Sequence, residues 1–104
     1  MDNTAIGRDE AIDIVRQYKH VISRHFAVEP QVMLFGSYSK GTAQKDSDID
    51  VAVIVPSYGD RKLEISKALW RDVDEVSLLI EPVLISREHP SPLYDDVMRT
   101  GIAV

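Results

Sequence analysis

Asp48 and Asp50 interrupt an otherwise apolar run, Asp-Ile-Asp-Val-Ala-Val-Ile-Val, that is rich in β-branched residues. Strand side chains alternate between faces, so the two carboxylates point the same way, roughly 6–7 Å apart along the strand. Ile49 and Val51 face the other side, where a core would lie. Neighbouring acids repel, and aspartate is disfavoured inside strands. A divalent cation with oxygen ligands would offset that cost. Glu81 repeats the anomaly as a lone acid between Ile80 and the stretch Pro82-Val83-Leu84-Ile85. Were the two strands neighbours, Glu81 would complete a three-carboxylate cluster. Solvated faces and guarded sheet edges also carry such acids, so the Asp-X-Asp pair alone leaves both readings open, and a lone glutamate is more often an edge charge.

The segment upstream shifts that balance. Gly36-Ser37 follows the apolar stretch Val32-Met33-Leu34-Phe35, with a second glycine at Gly41. A glycine at a strand end permits a sharp bend and a close approach to a ligand. Ser37 offers an amide and a hydroxyl, and a short helix starting there would aim unpaired N–H groups at an anion. A Gly-Ser pair by itself is most often a plain turn. A phosphate cradle placed twelve residues before a pair of metal-binding acids, however, suits a nucleoside triphosphate carried as its magnesium complex. Other chemistry is poorly supported. His20 and His25 do not share a helix face and His89 sits in a loop, so all three read as surface residues and not a zinc site. Ser23, Ser66 and Ser77 lack a nucleophile-elbow context, and no P-loop lysine motif is present.

The elements that must position these groups are legible from periodicity and breakers. A helix is expected from about Asp9 to Phe26, burying Ile12, Val15, Ile22 and Phe26 with Ile14, Tyr18 and Val21, until Glu29-Pro30 ends it. Strands follow at 32–35 and 48–55, the second closed by Pro56-Ser57-Tyr58-Gly59. Asp60 is a plausible N-cap for a helix to about Val76 with Leu63, Ala68, Leu69, Trp70 and Val73 as buried positions. A third strand covers 78–85, and Pro82 places it at a sheet edge or outside regular pairing. Ser91-Pro92 opens a last helix that Gly101 ends. The expected fold class is α/β: one domain over residues 1–104, with a three- to four-stranded mixed sheet flanked by helices.

Composition narrows the function. The 104 residues carry 12 basic and 17 acidic side chains, a net charge of −5, which disfavours a nucleic-acid-binding role. No cysteine is present, which removes thiolate catalysis and disulfides. The longest apolar run, Val51 to Val55, is far short of the ~20 residues of a membrane helix. Met1-Asp2-Asn3-Thr4 lacks the pattern of a secretory signal, and a cytoplasmic location is expected.

The string Gly36-Ser37-Tyr38-Ser39-Lys40-Gly41, a spacer, then Ser47-Asp48-Ile49-Asp50-Val51 resembles the signature of the nucleotidyltransferase superfamily related to DNA polymerase beta. Among its branches the chain most resembles the minimal nucleotidyltransferases, small domains often paired with a helical HEPN protein in prokaryotic toxin–antitoxin systems. The resemblance implies a small nucleotidyltransferase fold. It implies that Gly36 and Ser37 bind the triphosphate, with Lys40 and Ser47 as further nucleotide-binding positions. Asp48 and Asp50 would hold Mg²⁺, two ions in all, and Glu81 would stand where the family keeps its third acid, often an aspartate. The expected reaction moves a nucleoside monophosphate, AMP from ATP, to a hydroxyl. A chain this short leaves little room for an acceptor site, so the acceptor is expected on another chain or across a homodimer. The resemblance favours a tyrosine of a HEPN toxin. The alternatives are an antitoxin that acts by binding alone and nucleotidyl transfer to a small molecule.

Overall fold

The computed structural model describes residues 6–104; the reading of Met1 to Thr4 falls outside them. Helix α1 (Arg8–Ile22) buries Ala11, Val15, Tyr18 and Ile22, a stripe at steps of four, three and four. It stops before the expected Phe26. A 3₁₀ turn at Ser23–His25 tightens its end, and Phe26 is already extended, packing against the core from outside the helix.

The strands are β1 (Gln31–Phe35), β2 (Ile49–Val55), β3 (Ile80–Ser86) and the two-residue β4 (Ile102–Ala103), in the order β3-β2-β1-β4. β1 pairs antiparallel with both β2 and β4, whereas β2 and β3 are parallel. Parallel neighbours need a crossover, and α3 (Lys62–Val73) supplies it. The mixed sheet thus has four strands. β4 was not anticipated, because two residues carry no periodic signal. β3 lies at an edge, one of the two placements that Pro82 allowed, and Pro82 itself stays in register opposite Val51.

Both faces of the central strands are covered, which explains the nearly continuous apolar run of β2. Val32, Leu34, Ile49, Val51, Val53 and Val55 pack beneath α1 and α3. Met33, Phe35, Ala52, Ile54 and Ile85 form a smaller cluster on the opposite face with Val97 of α4 (Pro92–Thr100). Each fully buried valine or isoleucine contributes about 1.5–3 kcal/mol, so the larger cluster supplies most of the framework. The strand expected from Asp48 begins at Ile49, so Asp50 lies within β2 and Asp48 one residue ahead of it, both with the parity of Ala52 and Ile54. They therefore lie on the face that α4 covers only in part.

Three expectations for α3 need correction. The helix begins at Lys62 and ends at Val73, and Arg61, not Asp60, precedes it without a side-chain cap. Leu63 and Trp70 are 68% and 51% exposed, whereas Ile65, Leu69, Asp72 and Val73 turn inward. Leu63 and Trp70 are seven residues apart and so share a face, but it is the face away from the sheet. Apolar residues on both sides of a helix leave the choice to tertiary packing. Helix α4 forms as expected: the Ser91 hydroxyl accepts from the Tyr94 amide at 3.3 Å, Pro92 occupies the first turn and Gly101 ends it. No helix among the described residues is long and apolar enough to cross a membrane.

Candidate active site

Register brings the acids together. Phe35, the last residue of β1, pairs with Asp50, and Asp50 in turn pairs with Glu81 of β3. The end of β1 and the starts of β2 and β3 therefore meet at one end of the sheet. Gly36 follows Phe35 directly with φ 73° and ψ −145°, a conformation that side-chain-bearing residues rarely adopt. A Cβ at Gly36 would stand 2.1 Å from Asp50 Oδ2. Both the backbone bend and the close approach to Asp50 exclude any other residue.

The turn beyond Gly36 is the short helix α2 (Ser37–Lys40), ended by Gly41 in the left-handed conformation. The Lys40 amide donates to the Gly36 carbonyl at 3.0 Å and the Thr42 amide to the Ser37 carbonyl at 2.9 Å. The Ser39 hydroxyl also donates to the Gly36 carbonyl, at 3.0 Å. The buried ring of Tyr38 ties the turn to the main core. Lys40 is directed toward α4, with Nζ 3.4 Å from Asp96 Oδ2. Ser47 closes the loop that leads into Asp48: its hydroxyl accepts from the Gln44 amide at 2.8 Å, and its own amide donates to the Gln44 carbonyl at 3.0 Å.

The electrostatics of the acids follow from their crowding. Asp50 is half-buried, and its carboxyl is raised above the usual 3.8, first by desolvation and then by the charge of Asp48. Glu81 is raised above the usual 4.5 chiefly by a hydrogen bond to the Asp48 carboxyl, then by desolvation and by the charges of Asp48 and Asp50. Among the described residues no three acids converge closely enough to hold an ion as they stand. The donor set nevertheless suits a hard divalent cation: its atoms are carboxylate oxygens, and a cation would offset their mutual repulsion. Asp48 and Glu81 are exposed, so the site is open surface. A concavity of about 420 Å³ lies at the other end of β2 instead, lined among others by His25, Val55, Pro56 and Tyr58.

Two features escaped the sequence reading. Arg8 spans from α1 to α2, donating from Nε to the Tyr38 carbonyl at 3.0 Å and from Nη2 to the Ser39 carbonyl at 3.1 Å. A cation in the first turn of a helix, where acids are favoured, was the available signal. His25, read as a surface residue, places Nε2 2.6 Å from Oδ2 of the buried Asp72, whose other oxygen accepts from Arg24 at 2.7 Å. No signal in the sequence distinguishes Asp72 from its exposed neighbours on α3.

Residues 15–97 match the nucleotidyltransferase domain family. A protein of Methanocaldococcus jannaschii, MJ0141, provisionally named a protein adenylyltransferase, is 30% identical over 98 residues, spanning 91% of this chain and 99% of that protein. The crystal structure of a nucleotidyltransferase, so designated provisionally, from Sulfolobus solfataricus superposes with a TM-score of 0.64 at 11% identity, covering 92% of this chain and 80% of that one. A structure described in the same provisional terms as a minimal nucleotidyltransferase superposes with a TM-score of 0.63 at 26% identity, covering 95% and 97%. A mutant of the toxin–antitoxin MntA–HpeT reaches 0.50 at 21% identity, covering 96% and 72%. The sheet order, the Gly36-Ser37 bend against Asp50 and the family match agree: this chain belongs to the nucleotidyltransferase domain family, and its class of activity is nucleotidyl transfer.

Proposed function

We propose that the protein transfers AMP from ATP to a hydroxyl of a partner protein, a tyrosine of a HEPN-type toxin, and so acts as an antitoxin. The observation that carries the reading is the pairing of Asp50 with Glu81 beside Gly36, whose missing side chain leaves room for Asp50, with Asp48 two residues before Asp50 in the chain. Gly36 and Ser37 receive the triphosphate through backbone amides and the Ser37 hydroxyl, with Lys40 and Ser47 flanking them. Asp48, Asp50 and Glu81 would hold Mg²⁺, which when bound neutralises charge at the α-phosphate and on the departing pyrophosphate. The acceptor oxygen bonds to the α-phosphorus, the bond from that phosphorus to the bridging oxygen of the β-phosphate breaks, and the hydroxyl proton leaves toward the carboxylate cluster. Positioning and charge compensation supply nearly all of the rate.

The open surface at the acids supports an acceptor delivered by another macromolecule, since no enclosed pocket adjoins them among the concavities described. The protein adenylyltransferase name of the Methanocaldococcus jannaschii relative supports protein as the acceptor class. The test is incubation of the protein with ATP labelled at the α-phosphate, Mg²⁺ and a helical HEPN-type protein. Label is expected on that protein with the parent chain and not with Asp50→Asn. An unlabelled partner that is still neutralised would refute transfer in favour of binding alone.

A further inference from the structure

We propose that Arg8 is a positioning residue of the nucleotide site, holding the Gly36–Gly41 turn in the shape that receives the triphosphate; this rests on the nucleotidyl-transfer reading above. Arg8 opens α1, ahead of Asp9 and Glu10. The positive end of the helix dipole disfavours a cation there, so something outside α1 must account for it. The side chain crosses to α2 and satisfies two consecutive carbonyls, those of Tyr38 and Ser39. The last carbonyls of a helical turn have no partner within it, and a four-residue helix is far too short to be stable alone. There the cation meets the negative end of the α2 backbone, so a placement unfavourable on one helix is favourable on the other. Arg8 Nη2 would lie 3.5 Å from a Cβ at Gly41. The planar guanidinium reaches both carbonyls at once, a geometry that a lysine ammonium on a flexible stem does not reproduce. Buried Tyr38 fixes the inner side of the same turn, and Arg8 fixes its outer side.

Arg8 touches no reacting atom, so its effect should be local and should fall on nucleotide binding. Amide hydrogen exchange in the nucleotide-free chain reads this without any assay of activity. In Arg8→Ala the Lys40 and Thr42 amides are expected to exchange at least tenfold faster, with the amides of Val51 to Ile54 unchanged. Calorimetry with ATP and Mg²⁺ should show a Kd raised about tenfold in Arg8→Ala and by less in Arg8→Lys, while kcat at saturating ATP stays within threefold of the parent. Unchanged exchange at Lys40 and Thr42, or acceleration spread evenly through the sheet, would overturn the proposal. If the parent chain binds no ATP, the nucleotidyl-transfer reading fails, and with it the nucleotide role of Arg8, whereas the exchange result still reports whether Arg8 holds the turn.

Discussion

Asp72 and the group formed by Asp48, Asp50 and Glu81 are both acids set into an apolar framework, yet their surroundings treat them in opposite ways. Asp72 is 1% exposed, and each of its oxygens meets a donor, Arg24 at 2.7 Å and His25 at 2.6 Å. Arg24 also pairs with Glu75, so the cluster fastens the turn after α1 to the end of α3. The acids at the strand ends meet one another instead, and the proton affinities of both Asp50 and Glu81 are raised, Asp50 chiefly by desolvation and Glu81 chiefly by the Asp48 carboxyl. A buried acid with its hydrogen-bond partners built in is structural. Acids that meet one another are relieved by an incoming cation, which supports the proposal that Asp48, Asp50 and Glu81 form a binding site.

The contrast can be broken by exchanging the roles of the two sets. Asp50→Asn should lower nucleotidyl transfer by roughly a thousandfold or more, as expected when several kcal/mol of metal-assisted stabilisation are lost, while urea unfolding shows no loss of stability. Asp72→Ala should do the reverse, costing about 1–3 kcal/mol of stability for the lost hydrogen bonds and leaving transfer within a few fold. Should Asp72→Ala abolish transfer in a folded protein, the division between structural and functional acids would collapse.

A smaller effect separates the two sets by their response to cations. Mg²⁺ at ten times its Kd should stabilise the parent by about 1.4 kcal/mol, and Asp72→Ala by the same amount. Asp50→Asn should show little or none of this shift in thermal unfolding. The smallest effect is on pH. Because Asp50 and Glu81 have raised proton affinities in the folded chain, the native state holds more protons than the unfolded one from the ordinary carboxylate range up to those raised values. Stability in the presence of a chelator should therefore fall as pH climbs through that window and level off above it. Glu81→Gln should flatten the fall, as read by urea midpoints between pH 4 and 7; an unaltered slope would show that Glu81 does not feel the aspartates.

How much of this was legible in the sequence depended on the range of the interaction. The strand carrying Asp48 and Asp50, the bend at Gly36 and the cap at Ser91-Pro92 were all readable, because each follows from stereochemistry within a few residues. Pro82 foretold an edge strand for the same reason, having no amide to donate. The inward face of α3 was misjudged at Leu63 and Trp70, because the helix offers apolar residues on both sides and only contact with the sheet selects Ile65, Leu69 and Val73. The fourth strand, two residues long, exists only because β1 was there to pair with it.

That Asp50 on β2 and Asp48 just ahead of it share one side is set by the two-residue repeat of an extended chain, and that a glycine must precede the α2 turn is suggested by the turn itself. Tertiary structure alone decided that Glu81 would pair with Asp50, through a parallel register established after the α3 crossover. It also decided that Gly36 must lack a Cβ because Asp50 occupies the space, and that Arg8 would cross to a turn thirty residues away. Backbone periodicity acts between near neighbours along the chain. Pairing and close packing act between segments whose separation carries no pattern, so they appear only once the chain has closed on itself.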